Sequence, residues 1–212
     1  MKFRPTLHAL SVGIVAIVAA ATAGAGGNAE RGKVLAYTCH GCHGVEDYKN
    51  AYPNYSVPRI GGQNAAYIES ALRAYASGDR SHPTMHSQAA TLSDQDRADI
   101  AAYLQSQVVQ PAKQVVGTSP PATQVCVACH GADGAKTVAP DYPILAGQHS
   151  DYIVRTLQDY KSGKRKNPVM AGIIGSIDPK DFETIGEFFS QQRGLCGTED
   201  LREHGKCVTE AE

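Results

Sequence analysis

Two short stretches decide how this chain is read: Cys39-His40-Gly41-Cys42-His43 and Cys126-Val127-Ala128-Cys129-His130. Each has the pattern C-x-x-C-H, the attachment signature of a c-type haem. The spacing has a chemical reason. Two thiols must add to the two vinyl groups on one edge of a porphyrin while the next residue turns its imidazole to the iron, and one helical turn brings all three within reach. A redox C-x-x-C does not require the following His, and a zinc site would need two further Cys or His at a suitable distance. The expectation is therefore two haem c groups, attached through Cys39 and Cys42 and through Cys126 and Cys129, with His43 and His130 as proximal iron ligands.

Working outward, the two motifs belong to one repeated unit. Pro58-Arg59-Ile60-Gly61-Gly62-Gln63 answers to Pro143-Ile144-Leu145-Ala146-Gly147-Gln148, an offset of 85 positions (143 − 58). Tyr67, Leu72, Tyr75, Ser77 and Gly78 answer to Tyr152, Leu157, Tyr160, Ser162 and Gly163 at the same offset. At the Cys motifs the offset is 87 (126 − 39), so the first copy carries two extra residues in the loop around Tyr52-Pro53-Asn54-Tyr55. Gln110 to Pro121, rich in Gln, Pro, Gly and Ser, reads as an extended linker. The organisation expected is a first domain over 26–110, a linker over 111–121 and a second domain with a carboxy-terminal tail over 122–212.

Both copies read as helical. Asn28 can cap a helix running toward Cys39. Tyr67, Ile68, Ala71, Leu72 and Tyr75 recur at helical spacing before Gly78. Ser93 and Asp96 make a box-like cap for a helix with Ile100, Tyr103 and Leu104 on its apolar face. In the second copy Ser150 or Asp151 should cap Tyr152 to Tyr160, and Asp178-Pro179 should open a helix facing inward through Phe182, Ile185, Phe188 and Phe189. No run alternates as a strand. Units of this size bury too little apolar surface to be secure alone, which suits a core built around a large hydrophobic cofactor.

Composition narrows the function. With 20 Lys plus Arg against 21 Asp plus Glu among 212 residues, there is no basic field to hold a phosphate backbone, which excludes a nucleic-acid reader. Lys2 and Arg4 precede an apolar run from Ala9 to Ala23 and the candidate cleavage sites Ala21-Thr22-Ala23 and Ala23-Gly24-Ala25. Residues 1–25 thus read as a secretory signal peptide, too short in its apolar part to span a bilayer. Export to a bacterial periplasm follows, with no transmembrane span in the mature form.

A six-coordinate haem needs a second axial ligand. Beyond Met1 the chain holds two methionines, Met85 and Met170, in the equivalent segments Pro83-Thr84-Met85 and Pro168-Val169-Met170. A lone Met is usually an adaptable core filler. Fillers vary between copies, whereas these two fall in register, each behind a Pro that would present the thioether from a loop. His82 and His86 flank Met85 as rival ligands, but Asn167 and Ala171 stand in their places in the second copy, so both read as surface histidines. His149 and His204 read as solvated or capping residues. In the tail, Cys196 and Cys207 are an even pair outside both motifs, and in an exported protein they read as a disulfide.

In these features the chain resembles the dihaem cytochromes c4, built from two class I cytochrome c domains. The resemblance rests on the paired C-x-x-C-H motifs, the paired Pro-x-(Ile/Leu)-x-Gly-Gln segments, the Gly-x-Arg stretches at Gly78 to Arg80 and Gly163 to Arg165, and the Pro-x-Met loops. It covers roughly residues 28 to 193. It implies an all-α fold of two tandem cytochrome c-like domains, each wrapped about one haem, with Pro58 and Pro143 offering backbone carbonyls to His43 and His130. It also implies a pseudo-twofold between the domains, with the haems close enough to exchange electrons.

Haems held by His and Met have no open position for substrate, so the expected role is one-electron carriage and not enzymatic turnover. The alternative is a haem subunit or enzyme, such as a dihaem peroxidase or a sulfur-compound dehydrogenase. Partners implied by the resemblance are a terminal oxidase, a quinol-oxidising complex or a blue copper protein, met by a monomer that could associate peripherally with a membrane. Tyr52 and Tyr55 of the first copy either mark haem edges that face different neighbours or serve as packing residues.

Overall fold

A computed structural model of the chain describes residues 26–107 and 114–198. Residues 1–25, read as a signal peptide, lie outside the described residues, as do His204 and Cys207. The described chain is mostly helical, and its repeat is visible in three dimensions.

In the first copy, α1 (Ala29–Leu35) starts where Asn28 accepts a hydrogen bond from the Arg31 backbone N–H. A 3₁₀ turn (Ala36–Cys39) and α2 (His40–His43) follow, so one continuous helical path carries both thiols and the imidazole. α3 (Ala65–Ser77) stops at Gly78, whose φ of 83° is the left-handed conformation that glycine adopts freely. α4 (Pro83–Ala89) and α5 (Asp94–Ser106) complete the domain, and α5 opens with a full capping box between Ser93 and Asp96. Ile68, Ile100, Tyr103 and Leu104 form its core. α1 crosses α5 so closely that a Cβ on Gly32 would sit 1.9 Å from the Asp99 carbonyl oxygen.

The second copy keeps the later elements and changes the first. Among the described residues no counterpart of α1 precedes its motif: a stretch through Ser119 and Pro120 leads into a 3₁₀ turn (Pro121–Thr123) and α6 (Gln124–His130). α7 (Ser150–Lys161), α8 (Pro168–Gly175), a 3₁₀ turn (Pro179–Asp181) and α9 (Phe182–Ser190) follow. Ile153, Leu157, Ile174, Phe182, Ile185 and Phe189 fill this core. The described part of the linker is strapped down, since Gln192 accepts from the Val116 N–H at 2.9 Å and donates to the Val116 carbonyl at 3.0 Å.

Three expectations need correction. The first copy does contain strand: β1 (Lys49–Asn50) pairs antiparallel with β2 (Tyr55–Ser56) in the loop that carries the extra residues. Two-residue strands are too short for an alternating pattern to announce them. The cap of α7 falls on His149, without a side-chain hydrogen bond. Asp151 is not a cap because its carboxylate accepts from both the N–H and the hydroxyl of Ser56 in the first copy, each at 2.9 Å. The Pro-x-Met segments are not loops: Pro83 and Pro168 are first residues of α4 and α8, where a preset φ and a missing N–H suit a helix start.

The two copies meet through reciprocal contacts. Gln63 accepts from the Ile144 N–H at 2.8 Å and donates to its carbonyl at 3.1 Å. Gln148 does the same to Arg59, at 2.9 Å in both directions. The guanidinium of Arg165 donates to the Tyr67 hydroxyl at 2.6 Å, and that of Arg80 donates to the Tyr152 hydroxyl. Arg80 and Arg165 themselves form an antiparallel backbone bridge. The chain then returns from the second copy to the first: Cys196 exchanges two backbone hydrogen bonds with Gly61, at 3.0 and 3.1 Å, and packs into the first core.

Candidate haem sites

The two C-x-x-C-H segments are built alike. His43 Nδ1 lies 2.7 Å from the Pro58 carbonyl and His130 Nδ1 lies 2.8 Å from the Pro143 carbonyl. A carbonyl only accepts, so each ring carries its proton on Nδ1 and keeps the Nε2 lone pair for a metal. Burial, the largest influence, pulls both imidazoles below the ordinary histidine range, and the bond to the proline carbonyl offsets part of it. Both rings are therefore neutral at neutral pH, as a metal ligand must be.

No disulfide closes either C-x-x-C motif. Burial raises the Cys39 thiol and pushes Cys126 up to about 11. That is opposite to the lowered thiol of a redox C-x-x-C motif. Among the described residues no group of three or more His, Cys, Asp or Glu is placed to hold a metal ion, so neither segment forms a zinc site with its neighbours.

Met85 and Met170 occupy the third positions of α4 and α8. The Met85 N–H donates to His82 Nδ1 at 3.3 Å, and the Met170 N–H donates to Asn167 Oδ1 at 3.0 Å. Both thioether residues are half-buried, and Met170 packs against the second core. His82 is not the surface histidine expected. It is half-buried, caps α4 through Nδ1 and sits 3.0 Å from Asn50 Oδ1 through Nε2, so both nitrogens are engaged. His86 is exposed, with Nδ1 donating to the Tyr75 carbonyl at 2.9 Å. Tyr52 is fully exposed, whereas Tyr55 packs against Tyr152 with ring centroids 6.4 Å apart.

Between the copies, Arg165 is buried and Arg80 partly so. Each guanidinium lies over a tyrosine ring, Arg80 4.3 Å from the Tyr75 centroid and Arg165 4.7 Å from that of Tyr160. Their side-chain hydrogen bonds run to hydroxyls, those of Tyr67, Tyr152 and Thr156. Burial raises the Tyr67 phenol, but Arg165 and Arg80 outweigh it and hold the group at about 8. Two cations, one buried and one half-buried, without a carboxylate partner among the described residues suit a cofactor that brings carboxylates, and a haem brings two propionates. The donor set and its surroundings thus fit haem c. Gln63, Gln148, Arg80 and Arg165 were visible in the sequence as repeated residues, but their shared place between the domains was not.

The tail supplies one further point. Cys196 is disulfide-bonded. Its expected partner, Cys207, lies outside the described residues.

The comparisons with known proteins agree with this construction. The family model described as Cytochrome c matches the chain twice, over residues 29–107 and 119–184. The chain is 30% identical to cytochrome c4 of Pseudomonas aeruginosa over 185 residues, covering 77% of this chain and 88% of that one. It is 31% identical to a protein of Stutzerimonas stutzeri named thiosulfate dehydrogenase electron acceptor, covering 73% of this chain and 79% of that relative. The crystal structure of reduced recombinant cytochrome c4 from Pseudomonas stutzeri superimposes with a TM-score of 0.62 at 29% identity, covering 79% of this chain and 100% of that one. With one haem c attached through Cys39 and Cys42 and another through Cys126 and Cys129, this chain belongs to the cytochrome c family and, within it, to the dihaem cytochromes c4.

Proposed function

We propose that each iron is closed on both faces, the first by His43 and Met85 and the second by His130 and Met170, so that the protein carries electrons and does not turn over a substrate. The observation that carries this reading is the duplicated construction. Each copy anchors its imidazole through a proline carbonyl, and each sets a methionine at the third position of a helix that starts with proline and is capped by a side chain. His82 does not compete, because both of its ring nitrogens already have partners. When bound, the haem supplies a one-electron couple whose ferrous form a thioether favours. The chain's part is to hold neutral imidazoles, to exclude water with the two cores, and to set Arg80 and Arg165 where haem propionates would meet them.

The two haem domains run over 26–110 and 122–212, joined by 111–121. No described helix is long and apolar enough to cross a membrane. The amino-terminal signal pattern and the need to attach haem to thiols favour the periplasm, where a monomer would serve a terminal oxidase, a quinol-oxidising complex or a blue copper protein. The relative named as a thiosulfate dehydrogenase electron acceptor favours a sulfur-compound dehydrogenase as one electron source. In that reading the chain accepts electrons and leaves the sulfur chemistry to its partner.

The test is spectroscopic. Oxidised protein should show the near-infrared sulfur-to-iron charge-transfer band at the intensity of two haems, and reduced protein should resist carbon monoxide. Rapid carbon monoxide binding at either haem, or turnover of peroxide, would remove the carrier reading at that site.

A further inference from the structure

We propose that Asn50 is a positioning residue for the first haem: it holds His82 in the one tautomer that can cap the helix presenting Met85. The inference rests on Met85 as an iron ligand and adds a control that the second haem lacks.

The geometry specifies the tautomer from both sides. Asn50 Oδ1, 3.0 Å from His82 Nε2, accepts only, so Nε2 carries the proton. Nδ1 is then bare and accepts from the Met85 N–H. The Asn50 amide cannot turn over without loss, because its Nδ2 donates to the Tyr55 carbonyl at 3.3 Å across the β1–β2 pair. The hairpin is itself held by the second domain, through Ser56 on Asp151 and Tyr55 on Tyr152. A line of contacts thus runs from the domain interface through Tyr55, Asn50 and His82 to the backbone of Met85.

The second copy does the same job with one residue. Asn167 Oδ1 accepts from the Met170 N–H, and an amide oxygen has no tautomer to choose. An imidazole does. Without Asn50, the Nδ1–H form of His82 would set a donor against the Met85 N–H and release the first turn of α4. The two extra residues of the first-copy loop lie in the stretch that folds into this hairpin.

Imidazole is a direct probe, since it binds a ferric haem only when the methionine has left, and its apparent affinity scales with the fraction of open sites. In Asn50→Leu, imidazole affinity at the first haem should rise about fivefold, the change expected for losing a helix cap, with the second haem unchanged. Haem methyl signals in proton NMR report the two sites separately. Asn50→Asp keeps an acceptor oxygen and should stay near the wild type. In a His82→Asn background, which copies the second site, Asn50→Leu should have no effect. Unchanged affinity in Asn50→Leu would overturn the proposal, as would an undiminished effect in the His82→Asn background, which would assign it to hairpin packing. The charge-transfer band of the wild type separates the two levels: its absence at the first haem would overturn Met85 ligation, and this inference with it.

Discussion

At the residue scale, each proximal imidazole is held by a backbone group. The imidazoles answer to proline carbonyls, so Pro58 and Pro143 contribute an oxygen that any residue possesses and a rigid φ that few do. Acidic residues tie α1 to α5 in a similar way. The Asn28 N–H donates to Asp99 at 2.7 Å, and Arg31 pairs with both Asp96 and Asp99. Hydrogen bonds from Ser93, then Arg31, hold Asp96 at about 2, and the Asn28 N–H leads the groups that keep Asp99 below its ordinary value. A carboxylate depressed in the folded state stabilises above its unfolded pKa, near ~4, and loses that contribution as pH falls through the folded value. Asp99→Asn should therefore cost about 2 kcal/mol at neutral pH. The gap from wild type in urea melts should narrow on acidification below about pH 4; a gap independent of pH would contradict this.

At the element scale, what mattered was which residue ends or starts a helix. Asn28, Gly78 and the Ser93–Asp96 box could be read from local chemistry, because a cap bonds within three residues of itself. The cap of α7 could not, since Asp151 is drawn away by Ser56, 95 positions distant in sequence. The Pro-x-Met segments read as loops, yet they form the short helices α4 and α8, because proline is a good first residue of a helix. Within α1, Gly32 is where size matters, since α1 and α5 touch there backbone to backbone. Gly32→Ala should force the helices apart and cost about 3 kcal/mol by overpacking. Thermal melts would show it, and wild-type stability would mean that the crossing is looser than described.

At the scale of the whole molecule, the pseudo-twofold is written in reciprocal side-chain bonds. Gln63 and Gln148 are 4% and 5% exposed, and each bridges the backbone of the other domain with both ends of its amide. Removing either leaves two backbone groups of the other domain unpaired, along with the N–H of the residue that follows it, so Gln63→Ala or Gln148→Ala should each weaken the interface by about 2 kcal/mol. Calorimetry should then resolve one cooperative unfolding event into two, while both haem spectra stay intact because the cores are separate. A single sharp transition in the double variant would show that Arg80, Arg165 and the Cys196–Gly61 bridge suffice.

The sequence by itself determined the two haems, the helical repeat and the residues proposed to serve each iron, because these depend on spacing within one turn of helix and on positions recurring between copies. It also marked Gln63 and Gln148, Tyr67 and Tyr152, and Arg80 and Arg165 as pairs. Only the tertiary structure decided what the pairs are for. Their partners lie in the opposite domain, up to 98 positions away, and no local rule connects such residues. The same holds for Asn50, which has no equivalent in the repeat, and for Cys196, which belongs to the tail of the second domain and packs in the core of the first. Local chemistry sets the cofactor and the ligands proposed for it; burial between two folded surfaces sets which side chains join the domains.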